Sequence, residues 1–215
     1  MKVSRNVWNF LDSNMYVFEE RNHVLIIDPV DNGAVLKRCS GATSATVLLT
    51  HEHFDHICGF NPLRELCCTV IAGKQCSERI KGEKTNLSAY ADVLAELSDK
   101  PVPNHWSPFA CKEADITFEN RLAFRWMGHA VELYYTPGHS AGSCCILLDD
   151  MLFVGDTVLD SGLMVKFPGS SKMLYRSVTV PLLEMLLIGD RVTCVYPGHG
   201  DAMTPEMALE LVRGV

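Results

Sequence analysis

The sequence predicts an α+β fold built as a single domain over residues 1–215, and three observations predict it. Short apolar runs bounded by Gly, Pro, Asn and Asp have strand length, and in each half of the chain they come first, with helical segments flanking them. Hydrophobic residues make up 47% of the chain, which supplies apolar side chain for a substantial core and argues against long disordered segments. No Pro/Ser-rich or charged stretch divides the 215 residues into separate parts.

Residues 15–19 and 23–30 read as two apolar strands joined by Glu20-Arg21-Asn22. Asp28 ends the second in Ile-Ile-Asp-Pro, where a carboxylate serves either as a turn former or as a group that orients a neighbouring metal ligand. A short helix is expected over 35–39, a buried strand over 45–49, a helix over 57–66 interrupted near Pro62, and a strand over 68–72, which together make a β, loop, α, β unit. From 73 to 108 the pattern changes to charged helical pieces such as 87–97, followed by Lys100-Pro101-Val102-Pro103. His105 and Trp106 read as an exposed loop with an anchoring aromatic, or equally as substrate contacts. The second half continues with short strands over 116–118, 122–126, 131–135, 144–148 and 151–154. A helix over 177–187, a strand over 192–196 and a final helix over 205–212 complete it.

The loop after the strand at 45–49 carries Thr50-His51-Glu52-His53-Phe54-Asp55-His56-Ile57-Cys58-Gly59. His51 and His53 are two residues apart, so an extended backbone turns both imidazoles to one side, while Asp55 and His56 come at the turn into the next segment and face a second point nearby. Neutral imidazole nitrogens and carboxylate oxygens are donors that borderline divalent ions such as zinc accept. Three further turns have the same texture: Thr136-Pro137-Gly138-His139-Ser140, Gly155-Asp156-Thr157 and Pro197-Gly198-His199-Gly200. Each places one ligand-type residue in a Gly- or Pro-rich turn just after an apolar run, where a strand end hands a side chain to a site. Cys58 adjoins the first motif and reads as a small buried hydrophobe. His23 and His129 read as ordinary structural residues.

Together these four segments resemble the metallo-β-lactamase-fold hydrolase superfamily, and among its branches the glyoxalase II-type hydrolases. The match runs from about the first strand to Gly200, with all seven ligand positions filled in the family's order. The resemblance implies a four-layer αββα sandwich with the metal site at one rim of the two sheets. It implies one ion held by His51, His53 and His139, a second held by Asp55, His56 and His199, and Asp156 bridging the two. The ions it implies are divalent, zinc first, with iron or manganese as alternatives. Two such ions roughly 3.5 to 4 Å apart share a hydroxide and polarise a carbonyl oxygen, so hydrolysis of a thioester or ester needs no protein nucleophile. Asp55 is then the candidate catalytic group, with one oxygen on metal and the other orienting the hydroxide and passing a proton to the leaving group.

One large subclass of zinc β-lactamases has Cys in place of a bridging carboxylate such as Asp156, which sets antibiotic hydrolysis aside as the main activity. Persulfide dioxygenases of the same superfamily use one iron held by only the equivalents of His51, His139 and Asp156, and lactonases belong to it too; these are the alternatives to a thioester hydrolase. Glyoxalase II enzymes add a helical C-terminal domain whose basic residues meet the glutathione carboxylates, whereas 15 residues follow Gly200 here, with Arg213 their sole base. The family's Lys-Phe-Tyr-like segment after Gly-Asp-Thr has its nearest match in Lys166-Phe167-Pro168. Lys166 is therefore a candidate substrate contact, and equally a solvated surface lysine. The resemblance thus implies slow turnover of a glutathione thioester with a high KM and a preference for a smaller or differently shaped ester or thioester.

The formal net charge is -7 and the 19 Lys and Arg residues are scattered, so no patch would track a phosphate backbone. Asn6, Trp8, Asn9 and Asp12 break up any leading apolar segment, and no run approaches the length of a membrane span. These features point to a cytoplasmic protein with a small-molecule substrate and no nucleic-acid or membrane partner. Nine cysteines, with neighbouring pairs at 67–68 and 144–145, suit reduced thiols better than a disulfide framework.

Overall fold

The computed structural model describes residues 1–66, 68–103 and 106–215; Cys67 and His105, with the reading of each, lie outside the described residues. The chain forms two compact units, Met1–Thr117 and Phe118–Val215.

The first unit contains β1 (Lys2–Val7), β2 (Asn14–Glu20), β3 (His23–Ile27), α1 (Gly33–Ser40), β4 (Ser44–Leu48), α2 (Phe54–Ile57), α3 (Phe60–Arg64), β5 (Thr69–Gly73), α4 (Lys74–Arg79) and α5 (Ala91–Ser98). With β6 (Ile116–Phe118), which crosses the unit boundary, the strands form a six-stranded sheet in the order β1-β2-β3-β4-β5-β6. The first three strands are an antiparallel meander, and β3, β4 and β5 run parallel. Parallel strands are covered on both faces, so after His23 β3 reads as an unbroken apolar run, Val-Leu-Ile-Ile, with all four residues buried. The core joins Val17, Val24, Ile26, Val47 and Val70 of the sheet to Val35, Ile57, Phe60 and Leu63 of the helices. β1 is invisible in the sequence because it is an edge strand whose apolar residues, Val3 and Val7, are both exposed, so it shows no apolar alternation.

Some boundaries fall elsewhere than the sequence suggests. The helical stretch after the metal-type loop breaks at Gly59 rather than at Pro62, which sits in the first turn of α3 where its missing N–H has no intrahelical partner to lose. Gly59 N–H donates to Pro29 O at 2.9 Å, and a Cβ on Gly59 would lie 2.3 Å from Val30 O. Gly59→Ala is therefore expected to cost about 1 to 3 kcal/mol by forcing two backbones apart, read as a lower urea midpoint at unchanged slope. Helix α5 starts at Ala91, not Leu87, because Leu87 is left-handed (φ 68°) and Asn86 Oδ1 takes the Ser88 N–H at 2.9 Å, which turns the chain before the helix begins.

The second unit contains β7 (Arg121–Trp126), β8 (His129–Tyr135), β9 (Cys144–Leu148), β10 (Met151–Gly155), α6 (Lys172–Leu174), a π turn (Tyr175–Thr179), α7 (Val180–Leu187), β11 (Cys194–Pro197) and α8 (Pro205–Arg213). Its five-stranded sheet has the order β11-β10-β9-β8-β7, antiparallel except for the parallel β10 and β11 pair. Leu147, Leu152, Val154 and Val195 of the sheet pack with Leu183, Leu186 and Leu187 of α7 and Ala208 and Val212 of α8. The helical segment begins at Lys172, five residues before the sequence reading, with the Ser171 Oγ cap accepting from Leu174 N at 3.2 Å. The π turn precedes Pro181, which cannot donate to the preceding turn. No helix among the described residues is long and apolar enough to cross a membrane, and no described cysteine forms a disulfide.

Candidate metal centre

In the first unit the parallel pairing of β3 and β4 places Ile27 opposite Leu48, so the residues that leave these two strands emerge side by side. Asp28, buried and left-handed (φ 55°), comes out next to Thr50. Its Oδ1 accepts the Thr50 N–H at 2.7 Å and its Oδ2 accepts the Thr50 hydroxyl at 2.5 Å. Thr50 Oγ1 has one proton, which it gives to Asp28, so towards His51 Nδ1 at 3.0 Å it is the acceptor. His51 therefore carries its proton on Nδ1 and turns the lone pair of Nε2 outward, the tautomer a metal needs. Asp28 Oδ2 also lies 3.3 Å from His56 Nδ1. Of the two sequence readings of Asp28, the orienting one describes its contacts, with the turn as the means.

The rest of the loop supplies the other donors. His53 is still extended (φ -67°, ψ 141°), and its ring lies 4.7 Å from that of His51, as the two-residue spacing requires. His56 is one turn further, its ring 4.3 Å from His51 and its Nε2 3.4 Å from Asp55 Oδ2. Asp55 stands in the first turn of α2. Its Oδ2 accepts a 2.8 Å hydrogen bond from Ser13 Oγ, a buried partner 42 residues away that sequence reasoning missed. Ser13 is held by a turn in which Trp8 N–H donates to Ser13 O and Asp12 is left-handed. All four ligand-type residues of this loop are buried. Cys58 is half-buried, packs against the core and accepts the Asp31 N–H on sulfur, and burial pushes its thiol pKa up to about 12, the behaviour of a structural thiol.

The second unit brings together His139, Asp156 and His199. Gly155 pairs with Pro197 in the parallel β10 and β11, so Asp156 and His199 leave adjacent strand ends on the same side of the sheet's edge. Asp156 Oδ2 is 3.6 Å from His139 Nε2 and 3.4 Å from His199 Nε2. One carboxylate oxygen thus lies between two imidazoles. The His139 turn is held from the helical side: Thr179 Oγ1 donates to Pro137 O at 2.6 Å and Ser171 N–H to Gly138 O at 2.8 Å. Gly138 (φ 152°) leaves no room for a side chain, since a Cβ would meet Tyr175 Cβ at 2.6 Å. His139 Nδ1 donates to Met164 O at 3.0 Å, which again leaves Nε2 as the lone-pair nitrogen. Met164 belongs to the segment that carries Lys166, which is exposed, and Phe167, whose ring is 6.2 Å from His139.

These clusters are able to hold metal: buried imidazoles with their proton placed on Nδ1 at His51 and His139, and carboxylates beside them, match the donors of a divalent ion of the borderline class. Trp106, the anchoring aromatic of the sequence reading, packs its ring at an angle against those of Trp8, Phe10 and Phe54 and donates its indole N–H to Ser88 O. His23 and His129 are structural, bonded to Ser44 and Asp149.

The chain is a member of the metallo-beta-lactamase superfamily, whose family model matches residues 8–199. Among curated relatives, the hydroxyacylglutathione hydrolase of Aeromonas hydrophila is 26% identical over 88% of this chain and 62% of its own length. That of Shewanella halifaxensis is 28% identical over 87% of this chain and 62% of its own, so the chain spans less than two thirds of these relatives. A probable metallo-hydrolase of Methanocaldococcus jannaschii is 25% identical over 88% of each chain. The crystal structure of the BLEG-1 B3 metallo-beta-lactamase superposes with a TM-score of 0.74 at 22% identity, covering 97% of each chain. The fold class and the glyoxalase II-like resemblance read from the sequence both stand.

Proposed function

We propose that this protein is a metal-dependent hydrolase of thioesters or esters, similar to hydroxyacylglutathione hydrolase, and that its seven ligand-type side chains serve one dinuclear site. The observation that carries the reading is Asp156, one oxygen of which lies within 3.6 Å of the imidazole nitrogens of both His139 and His199, as a carboxylate shared by two ions would. His51, His53 and His139 would hold one ion, Asp55, His56 and His199 the other, and Asp156 would join them. Zinc suits this donor set, as would iron or manganese. When bound, such a pair supplies Lewis acidity towards the substrate carbonyl and a water acidic enough to be deprotonated near neutral pH.

The chain's own groups do the rest. The relays from His51 Nδ1 through Thr50 to Asp28, and from His139 Nδ1 to Met164 O, keep Nε2 unprotonated for binding. Ser13 fixes the Asp55 carboxylate through Oδ2, the oxygen next to His56 Nε2, so the proton transfer to the leaving group falls to Asp55 Oδ1. No protein nucleophile takes part.

Lys166 is the candidate grip on an anionic substrate. Its charge would be met in the ground state and the transition state alike, so Lys166→Ala is expected to raise KM for S-lactoylglutathione several-fold and leave kcat nearly unchanged. Equal kinetics for the two proteins would make Lys166 a solvated surface residue. The reaction class itself is tested on a panel of thioesters, lactones, phosphodiesters and persulfides: hydrolysis confined to thioesters and esters supports the proposal, and O₂ uptake on persulfides without any hydrolysis would overturn it.

A further inference from the structure

The segment that follows β5 holds the metal-type loop at two points. Glu52, between His51 and His53, is fully buried, and its Oε1 takes the Arg79 Nε–H at 2.5 Å from the last turn of α4. Two residues on, Phe54 N–H donates to Asn86 O at 2.8 Å, at the start of α2. Asn86 is itself fully buried and anchored, its Nδ2 donating to Phe109 O at 2.7 Å and its Oδ1 accepting from Ser88 N. Arg79 O receives the Thr85 hydroxyl at 2.5 Å, which closes the chain between the two anchor points into a compact turn. A buried carboxylate is costly unless paired, and the Arg79 guanidinium supplies Glu52 with a charged partner.

We infer that Arg79 and Glu52, with the Asn86 carbonyl, are positioning residues: they clamp the backbone between His51 and Asp55 from the outside and set the two imidazoles in place before metal arrives. The assignment rests on the metal site of the proposed function. It gives part of 73–108, a stretch marked in the sequence by its charged helical pieces, a task in site assembly.

The test is zinc affinity of the full-length, metal-stripped protein, measured by competition with a chromophoric chelator, together with amide hydrogen exchange over residues 50–56 in the metal-free state. Arg79→Met, which takes the guanidinium away from Glu52, and the double variant Glu52→Gln with Arg79→Gln, which removes both charges and so is the one that folds if the first does not, are expected to bind zinc about 10- to 100-fold more weakly. Arg79→Lys, which restores the charge without the planar fork, is expected to recover part of the loss. The loop amides of the double variant are expected to exchange faster. A folded double variant with wild-type zinc affinity, or with wild-type exchange over 50–56, overturns the inference. Wild-type protein that takes up no zinc overturns the metal site itself, and the exchange arm then still judges the clamp.

Discussion

Asp156→Ala is expected to empty both metal positions together, taking the content from about two ions per chain to well below one at fixed free zinc. The reason is electrostatic. Asp156 Oδ2 lies between His139 Nε2 and His199 Nε2, so in the proposed site its charge is the one shared by both ions and offsets the repulsion of two neighbouring cations. Removing a single imidazole deletes a neutral donor from one ion; removing Asp156 takes a donor and a negative charge from both. Because binding to the folded state stabilises it, the thermal midpoint of the variant in excess zinc is expected to fall towards that of metal-free protein. Elemental analysis after dialysis, with calorimetry on the same sample, checks both statements. A variant that keeps one position fully occupied would mean that Asp156 serves one ion only.

Asp55→Asn separates ligation from proton transfer. The amide keeps the shape of the carboxylate, and its oxygen can still accept from Ser13 Oγ. The NH₂ group then stands where Oδ1 was, a donor that cannot take a proton. The variant is expected to bind one ion more weakly and, with metal restored by excess zinc, to keep a kcat lowered about 100- to 10,000-fold. Full recovery on adding zinc would make Asp55 a ligand and nothing more, and the general-acid role would fall.

The ligand-type residues of the candidate site were legible because imidazoles and carboxylates stand together in Gly- and Pro-rich turns at strand ends. Their support was not legible. Ser13 is an ordinary serine until the fold brings it to Asp55 across 42 positions, and Glu52 looks like a surface charge until Arg79, 27 positions on, meets it in the interior. Asp28 stood undecided between turn and orienting group, and what decides it is the register of β3 on β4, which local sequence does not carry. Secondary structure followed the same division. Buried strands such as β3 and β9 announce themselves by composition, whereas β1 leaves both its valines exposed and shows no apolar pattern. Gly59 outranked Pro62 as the helix breaker because of a backbone approach to Val30 that only the tertiary fold creates.

The most direct test of the central claim is the metal content of wild-type protein purified without added metal, with thioester hydrolysis followed as the ions are removed and returned. The dinuclear reading predicts about two divalent ions per chain, activity lost on chelation and regained only as the second ion returns. Saturation at a single iron per chain, with O₂ consumption on persulfides and no thioester hydrolysis, would contradict it.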